Sequence, residues 1–488
     1  MKIKFLKMMN KTLSLCLLFL MFSCAGFTKG QTKEETKEQK PNIIFIFADD
    51  WGYGDISDHG STWVETPHID KMISEGMDFA NFTVNSPVCS PSRVAVMTGQ
   101  FPARQSIHQH FQGWKAHKKR GMPDWMDPNE MSFPKYFQKA GYVTGHFGKW
   151  HLGWSSKDAP KENEYGYDEY ATFNGSKTIS IPKSGSVGVD YAEDFIKKHK
   201  NKPFFINLWL HEAHTAHYPQ KRFMDKFGNL DEQKQVYASI IAEGDEAVGR
   251  INKLLKELNL DENTLVVFST DNGPEWEGSA KEKFHKGNEE NGVAGLGKYY
   301  SVGETGGLKG QKRSLFAGGI RVPFVAKWPK VIPAGVEDKS SVLTAVDLLP
   351  TFFEAAGITM PQDYQPDGES MMSAFKGKGL DRSKPIFWEW RGGSAKEYTW
   401  PTLGVRDGDW KLVVDVTGNK FELYNIKEDW KEVNDLAAKN PKKTTMLLAM
   451  VKEWKASLPT EPRANALSIV RSKVKTKGNK KKKKNKKN

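Results

Sequence analysis

The chain has 488 residues, 38% hydrophobic and 27% charged, with a formal net charge of +13 and three cysteines. That length supports a large hydrophobic core, and so few cysteines exclude a disulfide-built scaffold. The positive charge sits at the ends: Lys2, Lys4, Lys7 and Lys11 open the chain, and eleven Lys or Arg with no acid close it from Arg471 on. The body between is near neutral and offers no basic groove for nucleic acid.

Residues 1–30 run basic, then apolar from Leu13 to Phe22, then small, the order of a secretory signal peptide. The apolar run falls short of the ~20 residues a bilayer span needs. Ser23-Cys24 could accept a lipoprotein anchor, which would hold the protein at the outer membrane. Otherwise it is expected in the periplasm or secreted, and membrane contact is expected only through a lipidated Cys24. Residues 31–40 are charged and read as a tether.

The fold starts at Pro41. Asn42 to Phe47 is a nearly continuous apolar run, as are Phe204 to Leu210 and Thr264 to Ser269, the pattern of strands buried on both faces of a parallel sheet. Between the last two, Ile240, Ile241, Val248, Ile251, Leu254, Leu255 and Leu258 recur at helical spacing. Strands alternating with helices predict an α/β fold over 41–379, with ligands at the carboxyl ends of the strands. Over 380–468 the texture changes to short strands (Pro385 to Trp390, Thr402 to Val405, Trp410 to Val416, Phe421 to Tyr424) and a helix carrying Leu447, Leu448, Val451 and Trp454, a smaller α+β domain. Residues 469–488 are a Lys-rich tail unable to build a core.

Chemistry gathers at the strand ends. The first strand closes on Asp49-Asp50 and the third on Asp271-Asn272, giving three carboxylates and an amide oxygen that suit a hard cation such as Ca²⁺ or Mg²⁺. Lys149 and His151 stand two apart, and on an extended segment would point to one side. His211, His214 and His217 follow the second strand and could alternatively hold zinc. Lys309 and Lys312 lie in a glycine-bearing loop suited to an oxyanion. Cys89, the single cysteine left after processing, sits in Ser86-Pro87-Val88-Cys89-Ser90-Pro91-Ser92-Arg93. Taken alone it is a buried small residue, a nucleophile, or the precursor of a modified residue.

Cys89-Ser90-Pro91-Ser92-Arg93 with Thr98-Gly99 resembles the signature of the type I sulfatases, which have an alkaline phosphatase-like fold. Thr66 to Asp70, Gly141 to Gly145, Gly148 to Gly153, Gly318 to Pro323 and Glu422 to Asn425 also resemble segments of that family, in its order. The resemblance implies that Cys89 is converted to formylglycine (3-oxoalanine) by a formylglycine-generating or anaerobic sulfatase-maturing enzyme. It implies one Ca²⁺ held by Asp49, Asp50, Asp271, Asn272 and the residue made from Cys89, with Arg93 steadying both. Lys149 and Lys312 would hold the sulfate, His151 would serve the formylglycine hydrate, and His214 would contact the sulfate and protonate the leaving alcohol. His211 and His217 stand close enough to take that last place. One hydroxyl of the hydrate would attack sulfur, and loss of the second hydroxyl's proton would re-form the aldehyde and expel sulfate. Ala317 departs from the family, which has glutamate there.

The expected activity of the exported protein is hydrolysis of sulfate esters on a carbohydrate, an algal polysaccharide such as ulvan or carrageenan, or alternatively a glycosaminoglycan. The rivals are a phosphate-ester or phosphonate hydrolase of the same superfamily and a non-enzymatic polyanion-binding protein.

Overall fold

The computed structural model describes residues 39–471, apart from 155, 177, 178, 180–183, 291, 292, 393–398 and 470. The leader with Cys24, the tether before residue 39 and the run of lysines after Arg471 lie outside the described residues.

The Asn42–Ala48 strand is fully buried along its length. Ile43, Phe45 and Phe47 pack into one apolar cluster, and Ile44, Ile46 and Ala48 into another on the opposite face. Alternation along a strand therefore supplies both layers of core, and each fully buried large side chain contributes roughly 1.5–3 kcal/mol. The strand is central in an eight-stranded sheet ordered Val336–Asp338, Met77–Phe79, Phe324–Lys327, Thr264–Thr270, Asn42–Ala48, Phe204–Trp209, Val143–Lys149, Glu169–Phe173. Only Phe324–Lys327 runs against its neighbours. The helices Ser184–His199 and Glu232–Glu257 pack on the face of Ile44, while Cys89–Thr98 and Leu348–Ala356 pack on the face of Phe45.

The fold is α/β, as the sequence predicts. The helix expected around Ile240 to Leu255 is part of Glu232–Glu257, and all its apolar positions named above are buried except Leu258, which lies just past its end. Its start is capped by Asp231, whose side chain accepts from the Lys234 N–H. The C-terminal segment forms a four-stranded antiparallel sheet, Ile386–Glu389, Leu403–Asp407, Trp410–Val414 and Phe421–Asn425, followed by the helix Pro441–Ala456. Trp388, Leu412, Leu447 and Val451 share one apolar cluster with Phe45 and Val96, so the small sheet is built onto the large one through a continuous core.

The tail starts later than the expected residue 469. The Ile469 N–H donates to Asp158, and Arg471 pairs with Asp124 and donates to the Met122 carbonyl. Three partners on the body, Asp158, Asp124 and Met122, hold these two residues. Among the described residues, no helix is long and apolar enough to cross a membrane.

Candidate active site

Four strand ends and one helix start converge. Asp49 follows Asn42–Ala48, Lys149 ends Val143–Lys149, His211 follows Phe204–Trp209, and Asp271 follows Thr264–Thr270. Cys89 is the first residue of the helix Cys89–Thr98, where free N–H groups and the helix dipole favour negative charge. Arg93 lies one turn on, so the four-residue spacing puts thiol and guanidinium on one helix face.

Arg93 is completely buried. Its Nε and Nη2 donate to Oδ2 of Asp271 at 3.0 and 2.6 Å, Nη1 donates to the Lys149 carbonyl at 3.3 Å, and the guanidinium lies 4.9 Å from the Trp209 ring centre. It thereby ties the Cys89 helix to two strand ends. Ser90 and Ser92 hold the helix start in place: Ser92 donates to the Ser86 carbonyl, and Ser90 accepts from the Phe111 N–H.

Asp49, Asp50, Asp271 and Asn272 are all buried. Lys149 pairs with Asp49, and Lys312 pairs with Asp50. Burial and the Asp49 charge push the Asp271 pKa well above the usual carboxylate range, even with Arg93 bound to it. Oδ1 of Asp49 and Oδ1 of Asn272 have no hydrogen-bond partner. Buried acceptors are rarely left so, and here two stand in one cluster of carboxylates. One ligand atom each from Asp49, Cys89 and Asp271 lie within 4.8 Å of one another. An oxygen-rich site of this kind fits a hard cation.

His151 is not on an extended segment: its φ is +52°, just past the end of the strand. The left-handed turn still brings it to the same place as Lys149, with Nδ1 3.2 Å from the Cys89 Sγ and Nε2 3.1 Å from the Phe111 carbonyl. A carbonyl only accepts, so Nε2 carries the proton and Nδ1 is left bare towards Cys89. Burial, reinforced by Lys149, pushes the His151 pKa down to about 3, which keeps the ring neutral. Gly148 is required here, with φ +107° and a position where a Cβ would meet the Trp209 carbonyl at 2.0 Å.

The histidine cluster divides. His211 Nδ1 lies 3.3 Å from Asp49 Oδ2, and His214 Nε2 lies 3.9 Å from Asp50 Oδ2 with its side chain about a quarter exposed. Asp49, His211 and His214 also form a group whose ligand atoms fall within 4.8 Å. His217 turns away to Ser301 Oγ at 3.3 Å. Lys309, in the same loop as Lys312, faces the C-terminal sheet, donating to Glu422 and Tyr424 at 2.7 Å each.

Two acids carry weight that their sequence context does not show. Glu275 is buried against Lys312 and Arg313. Burial opposes its ionisation, but Lys312 and Arg313 hold its pKa down at about 2. Only its place after Asn272-Gly273-Pro274 hints at it. Glu432 lies at the departure noted at Ala317: it accepts from the Ala317 N–H at 2.7 Å and pairs with Lys411. A carboxylate is thus supplied to that loop from the C-terminal segment.

The sulfatase family model matches residues 41–358, well over half of the chain. The chain belongs to the sulfatase family. A second model, for the C-terminal region of N-sulphoglucosamine sulphohydrolase, matches residues 303–457 of this sulfatase. It is 30% identical to human N-acetylgalactosamine-6-sulfatase, with 72% of this chain and 68% of the relative covered. It is 25% identical to N-acetylgalactosamine-6-O-sulfatase of Bacteroides thetaiotaomicron, covering 85% and 93%. The solved structure of Ps i-CgsB in complex with k-i-k-neocarrahexaose superposes with a TM-score of 0.73 at 26% identity, covering 88% of this chain and 95% of that one. The sulfatase is a sulfuric ester hydrolase with the alkaline phosphatase-like fold.

Proposed function

We propose that this sulfatase removes sulfate from a carbohydrate, and that the sugar is galactose-configured, as in a carrageenan or in N-acetylgalactosamine 6-sulfate. The human and Bacteroides relatives are named for N-acetylgalactosamine 6-sulfate and Ps i-CgsB was solved with a carrageenan hexasaccharide, so galactan and galactosaminoglycan substrates both have support. Ulvan and other glycosaminoglycans are the wider field. The signal-like leader supports export to the periplasm, the outer membrane or the medium.

The observation that carries the reaction is the contact between Cys89 and the bare Nδ1 of His151. In our reading a maturing enzyme converts Cys89 to formylglycine, and His151 takes a proton from the hydrated residue at that position. Asp49, Asp50, Asp271 and Asn272 would hold a single Ca²⁺, completed by the modified residue 89. When bound, the ion polarises the sulfonyl oxygens and lowers the cost of charge building there. Lys149 and Lys312, paired here with Asp49 and Asp50, would hold the sulfate. Arg93 fixes Asp271 and the helix start, so that nucleophile and acid keep their spacing.

His214 is the proton donor to the leaving oxygen. Burial, Lys149 and Lys312 hold its pKa well down, and a bound sulfate ester acts in the opposite sense by adding negative charge beside the ring. The deciding experiment is a release screen on the protein co-produced with a maturing enzyme, over defined sulfated carrageenan, ulvan and glycosaminoglycan oligosaccharides and, beside them, 4-nitrophenyl phosphate and a sugar phosphate. Release from a galactose-configured sugar is expected. Phosphate release without sulfate release moves the reading to the phosphate-ester rival, and turnover of neither leaves the polyanion-binding one.

A further inference from the structure

A second cavity lies at the same carboxyl edge of the sheet, and none of the residues placed in the catalytic site lines it. The strands Met77–Phe79 and Val336–Asp338 run parallel and end there, in Ala80-Asn81 and Lys339-Ser340. The C-terminal segment closes the other wall through Arg406, Ile426 and Trp430, leaving a space of about 670 Å³.

Its floor carries two guanidiniums, Arg321 and Arg406, only 8% and 4% exposed. Arg321 gives both Nε and Nη2 to the Ala80 carbonyl and lies 4.9 Å from the Trp430 ring centre. Arg406 gives Nε to the Gly408 carbonyl at 3.0 Å and Nη1 to the Asn81 side-chain oxygen at 2.9 Å. Among the described residues, neither pairs with a carboxylate. The other deeply buried arginines do: Arg93 pairs with Asp271, and Arg382 pairs with Asp347. Buried charge without a counter-ion is costly, and the consequence is visible in Arg406, whose pKa burial and the neighbouring Arg321 bring down to about 9. At the rim, Lys339 and Lys427 are matched by Glu337 and Asp409, with Lys339 pairing with Glu337 at 2.8 Å, so the excess positive charge of the cavity is that of the two guanidiniums. With Nε and Nη2 of Arg321 given to Ala80, and Nε and Nη1 of Arg406 given to Gly408 and Asn81, Nη1 of Arg321 and Nη2 of Arg406 remain to meet the oxygens of a tetrahedral oxyanion, and the indole of Trp430 offers an apolar face to a sugar ring.

We propose that this cavity binds a sulfate group carried by a saccharide chain, away from the ester being hydrolysed. The two guanidiniums take the sulfate oxygens, Trp430 meets the sugar, and Lys339 and Lys427 attract the chain. The sulfated-carbohydrate reading above is the premise, and the binding is testable apart from turnover.

The probes are sucrose octasulfate, sucrose and sodium sulfate, titrated calorimetrically into the full chain at physiological salt. Arg406→Gln, and separately Lys339→Ala with Lys427→Ala, are expected to weaken sucrose octasulfate binding by roughly fivefold or more. Turnover of 4-nitrophenyl sulfate should stay unchanged, and a crystal soaked in sucrose octasulfate should show sulfate density on Arg321 and Arg406. The rim pair, exposed on the surface, keeps the test valid if Arg406→Gln does not fold. Unchanged affinity in folded variants, or density only in the catalytic pocket, overturns the proposal. Equal affinity for sodium sulfate overturns the saccharide assignment in favour of a free anion. If matured wild-type protein hydrolyses no sulfate ester, the functional reading fails while the binding result stands by itself.

Discussion

The Cys89 thiol lies 3.2 Å from Nδ1 of His151, and His151 reaches it from left-handed backbone held by the Phe111 carbonyl. The same contact that orients an acceptor nitrogen at residue 89 fixes which ring nitrogen is free. Cys89→Ala should therefore leave the fold intact, since one small buried residue replaces another, and abolish sulfate release. Mass spectrometry of the peptide spanning Cys89 should show the aldehyde in active protein. Activity from wholly unmodified Cys89 would sink the mechanism.

Asp271→Asn removes a carboxylate from the cation site while keeping an oxygen for Arg93. We expect turnover to fall by about 10³-fold and bound calcium, measured by plasma emission, to drop from one per chain towards none. Two zinc ions per chain in the wild type would instead fit the Asp49, His211 and His214 group and the phosphate-ester rival.

The His214 side chain is about a quarter exposed and stands 3.9 Å from Asp50, whereas His211 is nearly buried against Asp49. Loss of a proton donor matters most when the leaving group is a poor one. His214→Ala should thus cost about tenfold more on a sugar sulfate than on 4-nitrophenyl sulfate, and His211→Ala should lower both alike. The reverse pattern of kcat values assigns the donor to His211.

Asp245 offers a pH test at a residue outside the proposed cation site. Its carboxylate accepts from the His68 and Ile69 N–H groups at the start of the helix Pro67–Ser74, and burial pushes its pKa up to about 7. Between pH 4 and 7 the folded chain keeps a proton that the unfolded chain has lost, so stability falls as pH rises through that window. The effect is on the order of 4 kcal/mol at most. In urea titrations Asp245→Asn should gain on the wild type steadily from pH 4 to 7 and no further above it. Parallel curves would show that the carboxylate is already ionised at pH 4.

The chain after Arg471 holds ten lysines and no acid. Truncation there should leave 4-nitrophenyl sulfate turnover unchanged and weaken binding to a sulfated polymer at low salt, with the difference vanishing at high salt because the attraction is screened over about 8 Å already at physiological ionic strength. A loss on the small substrate would mean that the segment supports the fold.

Periodicity and local spacing are properties of neighbours in the chain, and those were legible. The doubly buried Asn42–Ala48 strand and the helix around Ile251 both follow from residues a few positions apart. The family motifs marked the same strand ends that the structure brings together.

The sequence by itself determined the α/β layering, the strand-end carboxylates and the motif around Cys89, while the helix under Cys89 came from the structure. Tertiary structure decided which histidine faces the pocket, that Lys309 leaves it while Lys312 enters, and that Glu432 stands beside Ala317. It alone assembled the Arg321–Arg406 cavity. Those outcomes join residues far apart in the chain, such as Lys312 and Asp50, separated by 262 positions. Their meeting depends on strand register and loop path, which the packing of the whole core sets and which no local pattern records.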